Sequence, residues 1–142
     1  MLFYIVMTSL LLVHGSLAAE EPKLERIEWT DVWVMNANQD TAARVLLVGD
    51  SIVKGYYGAV EKALGEQVSC ARYATSRFLS NPDYITELIL LLNRYDFDVI
   101  HINNGLHGWD YSEKEYKAGL SALLSIIKQF TSESTIVWCM TT

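Results

Sequence analysis

The chain has 142 residues, enough for one domain, and 51% of them are hydrophobic, as in an ordinary globular core. Its net charge is −6 and it has no run of Lys or Arg, which argues against a nucleic-acid-binding surface. The two cysteines fit no metal-binding spacing, so no metal site is implied.

The N-terminus is typical of a secretory signal peptide. Residues 1–18 contain an apolar run up to Val13 and then small residues, with Ser16 and Ala18 placed as cleavage-site residues. The run is shorter than the roughly 20 apolar residues that span a bilayer, and no Lys or Arg precedes it. We expect cleavage near Ala18 and a secreted or periplasmic protein with no stable membrane span. An uncleaved anchor or a misassigned start is the alternative.

Residues 19–43 are polar with scattered Trp and Val, which predicts an N-terminal arm against the domain, or else a plain linker. Residues 44–142 alternate between short apolar segments and helical patterns, which predicts one α/β domain. The predicted strands are "RVLLV", "QVSCARY", "FDVIHI" and "STIVWCM", and the predicted helices are "SIVKGYYGAVEKALG", "NPDYITELILLLNRY" and "SEKEYKAGLSALLSIIKQF". Strands separated by helices imply parallel βαβ units and hence a three-layer α/β/α sandwich.

Helix-capping residues support these boundaries. Gly65 follows the first helical pattern as a C-cap. Asn81, followed by proline, is an N-cap of the second helix. Ser112 with Glu115 three residues later predicts a capping box at the start of the third helix.

The first candidate site lies where the first predicted strand becomes a helix, at Gly49, Asp50 and Ser51. In open α/β sheets, ligands bind beyond the carboxyl ends of the strands. A helix N-terminus also stabilises negative charge, such as an alkoxide or a tetrahedral oxyanion. The motifs GxGxxG, GxxxxGK[ST] and GxSxG are absent. The pattern favours Ser51 as a nucleophile, with a simple helix N-cap as its alternative role.

A second polar cluster follows the third predicted strand, in "DVIHINNGLHGWD". The amide of Asn103 or Asn104 would lie across a crevice from Ser51, where a side-chain amide can serve as an oxyanion-hole donor. Alone, Asn-Asn-Gly is ordinary turn chemistry. Paired with Gly-Asp-Ser at the neighbouring strand end, it favours a catalytic site.

Both segments resemble the SGNH (GDSL-type) hydrolase family of esterases, lipases and carbohydrate deacetylases on a flavodoxin-like sheet. "VLLVGDSIVKGY" resembles the first block, which places the nucleophile on Ser51. "IHINNGLHGWD" resembles the third block, although the Gly and Asp that flank the family's Asn are missing; it places the oxyanion Asn on Asn104, with Asn103 as the rival. The second block normally supplies a glycine N–H, but "RYATSRFLSNP" has no glycine, and Ser76 is the expected replacement through its backbone N–H.

The resemblance covers residues 44–142. It implies a parallel sheet in the order 2-1-3-4, counted over the four predicted strands, with the family's fifth strand missing. It also implies that Ser51 attacks an ester carbonyl and forms an acyl-enzyme, and that the N–H groups of Ser51 and Ser76, with Asn104, hold the oxyanion. No metal or organic cofactor is implied, and the partner is a small-molecule or carbohydrate ester.

The remaining candidate residues surround the nucleophile. Asp50 and Asn103 are expected on the substrate side of the site, with Asp50 bracing the turn rather than acting as a base. His107 and Trp109 are expected to line the substrate pocket. At the level of the family, Trp109 together with export suggests an acetylated carbohydrate as the substrate.

The family's last block, Asp-x-x-His, supplies the general base and does not occur after the fourth strand. Asp98 and His101 match the pattern, but residues three apart in a strand face opposite sides, about 10 Å apart. His101 is therefore expected to be a buried strand residue. We expect the chain as given to be an inactive fragment of such an enzyme. The alternatives are a non-catalytic binding module and His107 as a surrogate base, since histidine titrates near neutral pH.

The predicted strand order also separates the two cysteines. Cys70 lies in the second predicted strand and Cys139 in the fourth, which are not neighbours in the order 2-1-3-4. Their Cα atoms would exceed the roughly 7 Å limit for a disulfide. We therefore expect two free, buried thiols.

Overall fold

The structure, a computed structural model, describes residues 21–39 and 43–140. The predicted signal peptide, residues 1–18, lies outside the described residues. The described elements are β1 (Thr30–Val34), β2 (Ala43–Gly49), α1 (Ser51–Leu64), β3 (Val68–Thr75), α2 (Pro82–Arg94), β4 (Val99–Asn103), α3 (Glu113–Phe130) and β5 (Thr135–Trp138). None of these helices has the length and apolar character needed to cross a membrane.

The protein is an α/β protein with one mixed sheet in the order β1-β3-β2-β4-β5. β3, β2, β4 and β5 pair in parallel, and β1 runs antiparallel to β3. The sheet thus differs in strand number, order and direction from the predicted all-parallel sheet of four strands. The reason is that part of the segment interpreted as an arm forms β1. The four predicted strands occupy consecutive places, β3-β2-β4-β5.

β1 is a short edge strand that charged side chains hold in place. Arg72 of β3 binds Asp31 of β1 with a 2.8 Å contact, and Lys54 of α1 lies 2.7 Å from the same carboxylate. Val32 and Trp33 of β1 remain about half exposed. An edge strand of this kind buries little apolar surface, so its sequence carries little of the alternation by which strands are recognised.

Helices cover both faces of the sheet. Because successive strand residues point to opposite faces, Leu46 and Val48 of β2 join one core and Leu47 joins the other. The smaller core contains Val53 and Tyr57 of α1. The larger core contains the buried residues of α2 and α3, namely Tyr84, Leu88, Leu91, Leu92, Leu123 and Ile127. Of the described helices, α1 thus lies on one face and α2 and α3 lie on the other.

The predicted caps are confirmed. Gly65 adopts a φ of 70°, and its N–H donates to the carbonyl of Glu61 at 3.2 Å. The Asn81 side chain accepts from the N–H of Asp83 at 2.8 Å. Ser112 and Glu115 form the reciprocal capping box. Gly65 thus ends α1, and the other two signals set the starts of α2 and α3.

Both cysteines are free, as predicted. Cys70 is buried in β3, whereas Cys139 is only partly buried and lies one residue beyond the end of β5. β2 and β4 separate the two strands. Burial raises the pKa of Cys70 to about 11, so its thiol stays protonated near neutral pH.

Candidate functional site

Three neighbouring strands end at the same edge of the sheet. Gly49, which ends β2, pairs with Ala74 of β3 on one side and with Asn103 of β4 on the other. The residues that follow these positions therefore emerge together, and among them are Ser51, Ser76 and Asn104. The register of the sheet brings these three segments together.

Gly49 is needed because the strands and α1 approach each other closely. A Cβ atom at this position would overlap the carbonyl oxygen of Asn103 and the Cγ2 atom of Val53. The glycine of the Gly-Asp-Ser segment thus serves packing. It allows the end of β2 to lie against β4 and the first turn of α1.

We predict that Gly49→Ala destabilises the protein by about 3 kcal/mol, because a backbone carbonyl and a buried valine must both move. Gly58→Ala is the matched control, since a Cβ on this exposed helical glycine meets nothing within 4 Å. The control should be neutral or stabilise α1 by about 0.5–1 kcal/mol. Urea unfolding of both variants measures the difference. Equal midpoints for Gly49→Ala and the wild type would contradict the close approach.

Asp50, not Ser51, caps the helix. The Asp50 carboxylate accepts from the N–H of Ile52 at 2.8 Å, and Ser51 is the first residue of α1. The alternative role of Ser51 as an N-cap is therefore wrong, and its exposed hydroxyl does not serve the helix end.

Asp50 itself is fully buried and also accepts from the N–H of Leu106 at 3.3 Å. It braces the turn, as the sequence suggests, and joins the start of α1 to the loop after β4. Because Asp50 is completely buried, the prediction that it contributes to substrate binding does not fit the structure.

The backbone of Ser76 is engaged elsewhere. Its N–H donates to the carbonyl of Trp29 at 3.1 Å, and its Oγ accepts from the N–H of Trp29 at 3.0 Å. These two hydrogen bonds continue the pairing of β1 with β3 by one residue. The predicted use of the Ser76 N–H as an oxyanion donor does not fit this arrangement.

The two asparagines differ in their surroundings. Asn103 is buried, and its amide nitrogen lies 3.7 Å from Sγ of Cys139. Asn104 is also buried, and its backbone carbonyl accepts from the Tyr116 hydroxyl at 2.8 Å. Neither the nitrogen nor the oxygen of the Asn104 side chain has a hydrogen-bond partner among the described residues. A buried amide left unpaired at both atoms is unusual enough to require an explanation.

Tyr116 fixes the backbone of Asn104 through a protonated hydroxyl. Burial raises the pKa of Tyr116, and the nearby Asp50 carboxylate raises it further. The phenol therefore remains a donor to the Asn104 carbonyl well above neutral pH.

Asn104 lines an open groove of about 630 Å³ beside the end of β4. Other lining residues are Leu106, Trp109, Tyr116, Trp138 and Met140. Trp109 is 81% exposed, so one indole face is available to a ligand. The groove thus has aromatic walls, and Asn104, whose unpaired amide is buried, is one of its lining residues. Trp109 thus lines this groove together with Asn104, whereas Ser51 and His107 do not line it, and a substrate pocket formed by His107 and Trp109 stays a prediction.

His107 has an acidic partner that the sequence did not reveal. Its Nδ1 lies 2.9 and 3.0 Å from the two carboxylate oxygens of Glu25, and the N–H of Gly108 donates to the same residue at 3.4 Å. The Nε2 atom of His107 is buried without a hydrogen-bond partner among the described residues. Glu25 lies 82 positions away in a charge-rich segment, where nothing distinguishes it from its acidic neighbours.

The two residues of the Asp98-x-x-His101 match have different surroundings, and His101 is only partly buried. His101 lies within β4, packs edge-on against Tyr56, and has its pKa lowered by burial. Asp98 accepts from the N–H of Arg44, near the start of β2 and thus at the opposite edge of the sheet. Within residues 21–39 and 43–140, no three His, Cys, Asp or Glu side chains lie close enough together to hold a metal ion.

Comparison with known proteins does not assign a family. No model of a known protein family matches the chain, and no curated protein matches it significantly. The likeness to SGNH hydrolases therefore depends on the residues around Ser51 and Asn104.

Proposed function

We propose that the chain is a serine ester hydrolase of the SGNH type, with Ser51 as nucleophile and Asn104 as oxyanion donor. The observation that carries the proposal is the buried Asn104 amide with no partner for either polar atom. Leaving a buried polar group unpaired costs about 1–3 kcal/mol. An oxyanion formed where Ser51 attacks the ester would provide the missing acceptor for the amide N–H.

The position of Ser51 supports a nucleophilic role. It is exposed at the first residue of α1, and Asp50 already caps the helix. The positive end of the helix dipole stabilises a negative charge at this position. Ser51 Oγ attacks the ester carbonyl carbon, and the resulting oxyanion is held by the backbone N–H of Ser51 and the Asn104 amide. The alcohol leaves, and water then hydrolyses the acyl-enzyme.

The proposal also covers the flavodoxin-like form of the domain and the class of substrate. The parallel strands β3-β2-β4-β5, with helices on both faces, are consistent with a flavodoxin-like domain. The exposed Trp109 offers a flat apolar surface of the kind against which a sugar ring packs. Together with the predicted signal peptide, this favours an O-acetylated carbohydrate as the substrate class.

A fluorophosphonate probe tests the proposal, because it phosphonylates activated serines and releases fluoride. We expect one adduct per chain, located on Ser51 by peptide mapping and suppressed by excess acetyl ester. An adduct on another residue would contradict the assignment of the nucleophile. If no adduct forms but acetylated sugars bind, the chain is a binding module.

A further inference from the structure

The contact between Glu25 and His107 has the geometry of a carboxylate that orients an imidazole. Both carboxylate oxygens lie within 3.0 Å of Nδ1. An ionised carboxylate can only accept hydrogen bonds, so Nδ1 is the nitrogen that carries the proton. In the neutral imidazole, Nε2 then presents its lone pair. This is the form in which a histidine acts as a general base.

Nε2 is also the unsatisfied atom of this pair. It is buried without a partner among the described residues, while the side chain as a whole is 14% exposed. A purely structural histidine would be expected to use both nitrogens when buried. The Nε2 lone pair can therefore accept a hydrogen bond from a hydroxyl brought next to it.

One backbone contact joins the loop that carries His107 to the turn that carries Ser51. The N–H of Leu106 donates to the Asp50 carboxylate at 3.3 Å. Leu106 directly precedes His107, and Asp50 directly precedes Ser51. The loop that carries the imidazole is therefore attached to the turn that carries the serine.

Two ring contacts also link His107 to α1. The Trp29 ring lies 6.2 Å from the His107 ring, and the Lys54 ammonium lies 5.5 Å from the Trp29 ring. Lys54 is three residues after Ser51 and so shares its side of α1. Ser51 and Nε2 are not hydrogen-bonded in this structure. Catalytic hydrogen bonds are often long without substrate and shorten when it binds.

We infer that His107 is the general base for Ser51 and that Glu25 is its positioning residue. Nε2 takes the proton from Ser51 Oγ as the C–O bond to the ester carbon forms, and passes it to the leaving alcohol oxygen. In the second half, Nε2 takes a proton from the attacking water and returns it to Ser51. The inference rests on the proposed function and revises the expectation that the chain as given is inactive.

Kinetics of the 142-residue chain on p-nitrophenyl acetate test this assignment. His107→Gln should lower kcat by about 10²–10⁴-fold with little change in KM. Glu25→Gln, which removes the charge but keeps the shape, should lower kcat on the order of 10-fold or more. His101→Gln is the matched control, because it removes an imidazole without a carboxylate partner, and it should leave kcat nearly unchanged.

Nitrogen-15 NMR of the imidazoles gives a readout that does not depend on turnover. His107 should be in the Nδ1–H form in the wild type and shift towards the Nε2–H form in Glu25→Gln. A fixed tautomer would overturn the role of Glu25. Full turnover by His107→Gln, with an inactive Ser51→Ala, would overturn the base but leave the proposed function standing. Turnover by Ser51→Ala would overturn both. An inactive wild type that still forms the Ser51 phosphonate adduct would overturn only this inference.

Discussion

Ser51→Ala is expected to abolish acyl-enzyme formation and to reduce ester turnover to the background rate. Among the residues that the structure describes, no other hydroxyl is equivalently placed. The nearest candidate by register, Ser76, is buried and uses its Oγ to accept from Trp29 and to donate to Glu28. Rapid quenching followed by intact-mass measurement detects the acyl-enzyme directly, as a mass increase that the variant should lack.

The same variant should remain folded, which separates chemistry from stability. Asp50 supplies the helix cap, and alanine is a better helix former than serine, so Ser51→Ala should unfold at the same or a slightly higher temperature. Ser121→Ala, in the exposed part of α3, is the matched control and should keep full activity. An acyl adduct that persists in Ser51→Ala would show that another residue is the nucleophile.

Asn104→Ala is expected to lower kcat by about 10²–10³-fold while KM changes little, because the amide contact strengthens only as the oxyanion forms. Asn103→Ala should be milder, since the Asn103 amide is directed to Cys139. Initial rates on a simple acetyl ester, measured over a range of concentrations, give kcat and KM for both variants.

The free energy of unfolding provides the control for the two asparagine variants. The Asn104 side chain makes no hydrogen bond to the described residues. Its removal relieves an unpaired buried amide and loses some packing; because these two effects oppose each other, the free energy of unfolding should not fall much. If Asn103→Ala shows the large loss of kcat instead, the catalytic asparagine is one residue earlier than we assign. If neither variant loses activity, the Asn-Asn-Gly segment is only a turn.

Much of the secondary structure and the place of the nucleophile follow from local patterns. The helices that begin after Asn81 and Ser112 carry their start signals within a few residues, and each cap forms as predicted. The apolar run before Gly49 likewise predicts a buried strand. Such features depend on short-range periodicity and capping chemistry, which act within one or two turns of chain.

β1 and the surroundings of Ser76 were not predictable in this way. The segment Thr30–Val34 is mostly exposed and becomes a strand only because β3 offers it an edge. That pairing, extended by Trp29, uses the backbone N–H of Ser76, for which the resemblance to SGNH hydrolases implies a place in the oxyanion hole. A hydrogen bond between residues 47 positions apart leaves no local signature in either segment.

By itself the sequence determined the alternation of strands and helices, the helix caps, and the placement of Ser51 where a strand meets a helix. Tertiary structure alone decided that Gly49 touches the Asn103 carbonyl, that Asn104 is left unpaired, and that Glu25 meets His107. The physical reason is the distance along the chain between the residues that interact. Capping and periodicity act between residues near in sequence, whereas the site is assembled by sheet register and by contacts between distant segments.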